Sequence, residues 1–190
     1  MTQHVVLVGL MGSGKTTVGR RLAALLDFDF IDADEALVEI TDRSITEIFE
    51  TDGEEKFRSI EADVLEDLLE HHRPAVIATG GGVVLRDDNR RRLRGGDVTV
   101  VWLDGSPAFL ASRVEGKPNR PLLAGAEPAR DVLARLHAQR APLYAEVADL
   151  TIDVEPFHHA DDKPLTAVAN RVAELLRAHE RGAATEGAAS

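Results

Sequence analysis

The chain has 190 residues, 44% of them hydrophobic, no cysteine and a formal net charge of −11 at pH 7. That length suits one domain with a sizeable core, and the absent thiols exclude disulfides, thiolate metal sites and cysteine nucleophiles. The acidic surplus argues against a nucleic-acid partner, which needs Lys and Arg to neutralise phosphates. No apolar run approaches membrane-spanning length and no basic-then-apolar leader precedes the first strand, so the expected setting is the cytoplasm.

The first element is Val5-Val6-Leu7-Val8, an apolar β-branched run that reads as a buried strand over 4–8. Gly9-Leu10-Met11-Gly12-Ser13-Gly14-Lys15-Thr16 follows as a G-x-x-x-x-G-K-T phosphate loop, and Val18, Leu22, Leu25 and Leu26 then recur at helical spacing. Glycines in such a loop let successive N–H groups converge on phosphate oxygens, and the next helix adds the positive end of its dipole. Lys15 can reach the β- and γ-phosphates, and the Thr16 hydroxyl can ligate Mg²⁺. ATP and Mg²⁺ are therefore the expected co-substrate and metal.

Further strands are expected at 28–31, 75–79, 98–103 and 149–154. Ser44-Ile45-Thr46-Glu47 is a capping box opening a short helix, and 54–70 is a longer one with Phe57, Ile60, Val64, Leu65 and Leu68 inward. Ser106-Pro107 opens a helix carrying Phe109, Leu110 and Arg113. The spacing predicts a helix over 133–148 with a kink or break at Pro142, and a last helix over 165–177. Strand–helix alternation implies a parallel sheet covered on both faces, an α/β/α sandwich. One domain over 1–180 is expected, with the Gly- and Pro-rich stretch at about 116–128 as a lid, and 181–190 as a disordered tail.

Asp32-Ala33-Asp34 ends the second strand on the edge where the phosphate loop lies, so one carboxylate can serve Mg²⁺ and the other a substrate hydroxyl. Acids that merely favour a helix start have the same pattern. Asp104 also ends an apolar strand, and spacing does not choose between Asp32 and Asp104 for the metal. Gly80-Gly81-Gly82 removes side chains where something must approach the backbone closely. Arg58, Arg120 and Arg140 are candidate site residues, although each taken singly reads more as surface than as site; His71-His72 and His158-His159 read as solvated, and Trp102 as core.

These motifs, with Arg120-Pro121-Leu122-Leu123 and Arg140-Ala141-Pro142-Leu143-Tyr144, occur in the order and spacing of one family, and from residue 4 to about 154 the chain resembles shikimate kinases. The resemblance implies a P-loop kinase fold with a five-stranded parallel sheet of order 2-3-1-4-5. It also implies transfer of the ATP γ-phosphoryl group to the 3-hydroxyl of shikimate, in chorismate and aromatic amino-acid synthesis. Gly12, Ser13, Gly14, Lys15, Thr16 and Thr17 would hold the nucleotide phosphates. Lys15 and Arg120 would stabilise the transferring group, Arg113 would pack on adenine, and Thr16 and Asp32 would serve the metal. Asp34 would meet the acceptor hydroxyl, Arg58 and Arg140 the shikimate carboxylate, and Gly80-Gly81-Gly82 would floor the ring. The segment from Glu155 to Pro164 departs from the family in length and acidity, leaving Pro156 and Pro164 both open as the adenine partner. A monomer acting on small molecules alone is expected. A gluconate or nucleoside-monophosphate kinase is the rival on this scaffold; a nucleotide-dependent switch is a rival of another class, without an Asn-Lys-x-Asp guanine signature to support it.

Overall fold

The computed structural model describes residues 4–95, 98–114, 127–160 and 163–187. Most of the lid candidate, Arg120 included, lies outside them. Five strands form one sheet: β1 (His4–Val8), β2 (Asp29–Asp32), β3 (Ala75–Ala78), β4 (Val98–Asp104) and β5 (Leu150–Asp153). Their order is β2-β3-β1-β4-β5 and each pairing is parallel. The helices are α1 (Lys15–Leu26), α2 (Ala33–Thr41), α3 (Ile45–Leu69), α4 (Asp87–Leu93), α5 (Pro107–Val114), α6 (Ala129–Val147), α7 (Glu155–Ala160) and α8 (Pro164–Gly187).

Alternation along the central strands builds the two cores. Val6, Val8, Val100, Trp102 and Ile77 face one side with Leu110, Leu133 and Tyr144. Val5, Leu7, Val101, Leu103 and Val76 face the other with Leu22 of α1 and Val168 and Val172 of α8. Both faces of a parallel sheet must be covered, so its strands read as continuous apolar runs. A third, smaller cluster of Leu37, Ile48, Phe57 and Val64 joins α2 to α3.

Three local features differ from the sequence reading. α6 runs unbroken from Ala129 to Val147 with Pro142 inside it. Proline in a helix interior costs about 3 kcal/mol; the buried face formed by Leu133, Leu136, Arg140, Tyr144 and Val147 holds the helix against that cost. α8 extends through Gly187, so residues 181–187 are helical where an irregular tail was expected, and 188–190 lie outside the described residues. The capping box does open a helix, with Ser44 Oγ accepting from the Glu47 N–H, but α3 then continues to Leu69 with one non-helical residue, Gly53 at φ 83°. The two helices foreseen on either side of that glycine thus follow end to end. Among the described residues, no helix is long and apolar enough to cross a membrane.

At the edge of the sheet opposite the phosphate loop, His4 is 2% exposed. Burial lowers its pKa, and neighbouring His71 lowers it further. The unfolded chain therefore takes up a proton near the ordinary value of 6.5 that the folded chain resists. This contribution is fully present above that value and is lost as pH falls through the lower folded pKa. Urea unfolding at about pH 7.5 and about pH 5.5 should show wild type losing more stability on acidification than His4→Gln. Equal losses would contradict the account.

Candidate functional site

The loop between β1 and α1 curls with Gly12 at φ 90° and Gly14 at φ 89°, conformations that strain any residue with a Cβ. Ser13 Oγ donates to the Leu10 carbonyl at 2.9 Å and fixes the curl. Lys15 folds over it, its ammonium donating to the Gly9 and Leu10 carbonyls at 2.8 and 3.0 Å. A cavity of about 240 Å³ opens above the loop, with Gly12, Gly14, Lys15, Thr16, Thr17, Thr79 and Arg113 on its walls. Thr79 is locked to β1 by its hydroxyl and amide, which both donate to the Leu7 carbonyl.

Asp32 and Asp34 divide. Asp32 is the N-cap of α2: its Oδ1 accepts from the amides of Asp34 and Glu35, while Oδ2 accepts from Thr16 Oγ1 at 2.8 Å. The helix-start pattern considered for these acids is therefore present, and it coexists with a direct bond to the phosphate-loop threonine. Asp34 sits in the first turn of α2 and lines both this cavity and its neighbour. Asp104, the competing metal acid, instead faces α6, where its Oδ1 meets His137 Nε2 at 3.1 Å. It does not line the nucleotide cavity. Among the described residues no cluster of three or more His, Asp or Glu side chains could hold a metal by itself. An oxygen pair such as Thr16 and Asp32 suits an ion that keeps several waters and takes its remaining ligands from phosphate.

The neighbouring cavity measures about 460 Å³ and is bounded by Arg58, Glu61, Phe49, Phe57, Arg140 and the Gly80–Gly82 turn. Met11, Asp34, Gly80 and Gly81 line both spaces, so the two sites adjoin. Glycine at 82 is required by close approach, because a Cβ there would collide with the Arg58 guanidinium. At 80 it would come within 2.7 Å of a Glu61 carboxylate oxygen and 3.0 Å of Asp34 Oδ1. Arg140 is 4% exposed and donates from Nη1 to the Gly81 carbonyl at 2.8 Å. Arg58, 9% exposed, donates to Glu61 at 2.9 Å and to Glu54 at 3.1 Å. Among the described residues, Nε of each arginine is buried without a hydrogen-bond partner.

Glu61 and Leu165 are among the lining residues not foreseen as site residues. Glu61 lies three positions after Arg58 on the same helix, a spacing at which opposite charges meet, and that signal was available in the sequence. Burial pushes its carboxyl pKa up, and Arg58 beside it opposes that shift. Leu165, at the start of α8, lines the nucleotide cavity and packs toward Gly14. Its neighbour is Pro164, the first residue of α8, and Pro156 lies within α7; neither proline lines the cavity. The histidines read as solvated are partly engaged: His71 Nε2 meets Asp29 at 3.1 Å, and the His158 ring packs edge-on against Phe109 at 4.9 Å. Trp102 lies in the core, as expected.

Comparison with known proteins agrees with this geometry. The family model described as "Shikimate kinase" matches residues 11–177. A shikimate kinase of Vibrio parahaemolyticus is 41% identical over 174 residues, covering 92% of this chain and 96% of the relative. That of Dechloromonas aromatica is 48% identical over 151 residues, 80% and 81% of the two chains. Among solved structures, shikimate kinase from Acinetobacter baumannii in complex with shikimate superposes with a TM-score of 0.85 at 36% identity, covering 94% of this chain and 95% of that one. A phosphate loop bordering a small cavity with two buried arginines, on this sheet order and at this similarity, places the chain in the shikimate kinase family.

Proposed function

We propose that the larger cavity holds shikimate and the smaller one the phosphates of ATP, with the transferring group passing at the Asp34–Gly80 border. The observation that carries this is the adjacency of the two spaces, which share Met11, Asp34, Gly80 and Gly81. In-line phosphoryl transfer needs donor and acceptor in contact with water excluded, and holding them so is a large part of catalysis.

Each side chain has a role within that reading. Lys15, now on two loop carbonyls, is the cation for the β- and γ-phosphates. Thr16 and the Asp32 carboxylate bonded to it are the residues that would hold Mg²⁺. The chemistry it would supply there is neutralisation of the negative charge that develops on the phosphate oxygens. Arg120, outside the described residues, keeps the phosphoryl-stabilising role that the family resemblance implies. Arg113 and Leu165 offer a guanidinium and an apolar wall for the adenine, with Pro164 adjacent. Asp34 orients the 3-hydroxyl and accepts its proton. Arg58 and Arg140 bind the carboxylate, and Glu61 holds the Arg58 guanidinium under Gly82. A monomer working in the cytoplasm belongs to the same reading; among the described residues no helix is long and apolar enough to cross a membrane.

ADP release should depend on shikimate and on Mg²⁺, stopping when the metal is chelated. Stimulation by gluconate or a nucleoside monophosphate in place of shikimate would contradict the assignment.

The carboxylate clamp has its own test. A charge-assisted hydrogen bond contributes roughly 1.5–3 kcal/mol, so Arg58→Ala or Arg140→Ala should raise KM for shikimate about ten-fold or more, and lysine at either position should rescue poorly. Shikimate methyl ester should lose little further affinity in these variants. Equal responses of acid and ester would remove the carboxylate from the account.

For Asp34, Asn keeps the shape but cannot take a proton. If Asp34 is the base, Asp34→Asn should cut kcat by roughly 10²–10⁴ and flatten the acidic limb of the pH–rate profile. A smaller loss that falls partly on KM would leave it as an orienting group, and near-normal kinetics would reduce it to a helix-start acid.

A further inference from the structure

The Gly81 carbonyl accepts two hydrogen bonds from one face of α6. Arg140 Nη1 donates at 2.8 Å and Tyr144 Oη at 2.5 Å. The residues are four apart, so a single helical turn delivers both to the same oxygen. Tyr144 is wholly buried, with its ring 5.6 Å from that of Trp102. A buried phenol needs some acceptor, and core packing explains the ring. It does not explain why the hydroxyl shares its acceptor with a guanidinium on the wall of the acceptor cavity.

We propose that Tyr144 is a positioning residue for substrate binding: its hydroxyl keeps the Gly81 carbonyl satisfied, so the Arg140 guanidinium can turn from that oxygen to the incoming carboxylate. This rests on the reading of Arg140 as a carboxylate ligand. Without the phenol, the same movement would strip the glycine carbonyl of its donors just as the acceptor covers it, and an orphaned acceptor costs its desolvation. Arg140 Nε has no hydrogen-bond partner among the described residues, so the guanidinium is only partly committed. Burial holds the Tyr144 pKa above its ordinary value, which keeps the group an O–H donor; nearby Arg140 only moderates that shift. The arrangement is a hand-over, with Tyr144 as the donor that stays.

Tyr144→Phe keeps the ring and removes the donor. It should weaken shikimate binding about ten-fold, equivalent to about 1.4 kcal/mol. KM for ATP should hold and kcat should change by less than about two-fold. Shikimate methyl ester should be nearly indifferent to the change, and Tyr144→Phe should add little in an Arg140→Ala background. A purely structural role would lower Tm and weaken acid and ester alike, and that result overturns the proposal. If Arg140→Ala itself fails to separate acid from ester, the carboxylate reading has failed. If it separates them and Tyr144→Phe does not, only the inference about Tyr144 has failed. Because the chain contains one tyrosine, 3-fluorotyrosine labelling gives a readout that needs no substitution. The ¹⁹F resonance should move on adding shikimate and stay nearly still with the ester; no movement with shikimate would also overturn the proposal.

Discussion

Parallel pairing of β1 with both β3 and β4 is the constraint on which everything else rests. The register sets Leu7 beside Ala78 and Val101, so the chain leaves β1 and β3 at adjacent points of one edge. The phosphate loop and the Gly80–Gly82 turn are the continuations of those two strands. Thr79 ties them together through two bonds to the Leu7 carbonyl. β2 pairs on β3 with Asp32 beside Ala78, which brings the start of α2 to the same edge. Three connections that are remote in sequence thus meet because parallel strands end together, and this edge is where ligands of such sheets bind.

The larger cavity concentrates charge in a buried space. Two guanidiniums, at 9% and 4% exposure, face one nine-tenths-buried carboxylate and Asp34. Breaking a buried pair costs far more than an exposed one, and Arg58–Glu61 is of that kind. Glu61 is accordingly pulled two ways: burial favours its neutral form, and Arg58 favours its charge. In the proposed reading a ligand carboxylate would join Glu61 and Asp34 as a further anion against the two cations. The α2–α3 cluster around Leu37, Ile48 and Phe57 supplies the apolar backing that keeps these charges in place.

A chain with a net charge of −11 nonetheless accommodates two anionic substrates. Screening limits the overall field to about 8–10 Å at physiological ionic strength, whereas Lys15, Arg58, Arg113 and Arg140 line the cavities directly. Many of the remaining acids are committed to surface pairs with arginine, such as Arg20–Glu35 and Arg135–Glu127. Exposed pairs of this kind contribute little to stability, and they leave the local fields at the sheet edge in control of binding.

The sequence alone determined the features whose cause is local. Three apolar runs (β1, β3 and β4), a glycine-spaced phosphate loop and a serine cap dictate their own conformations within a few residues. The triple glycine was visible as an exception to ordinary loop chemistry, whereas Arg58 and Arg140 read singly as surface and were picked out only by the family resemblance. Tertiary structure decided what depends on distant partners. Asp32 bonds Thr16 while Asp104 turns to His137, a difference that two similar strand ends do not encode. Pro142 stays helical because α6 buries one face against the sheet. Leu165 reaches the nucleotide cavity because α8 packs beside α1. Tyr144 meets Gly81 across 63 residues of chain. Hydrophobic period and turn chemistry report on neighbours in sequence; contacts between a strand end and a remote helix are set by sheet order and layer packing, and these exist only in the folded chain.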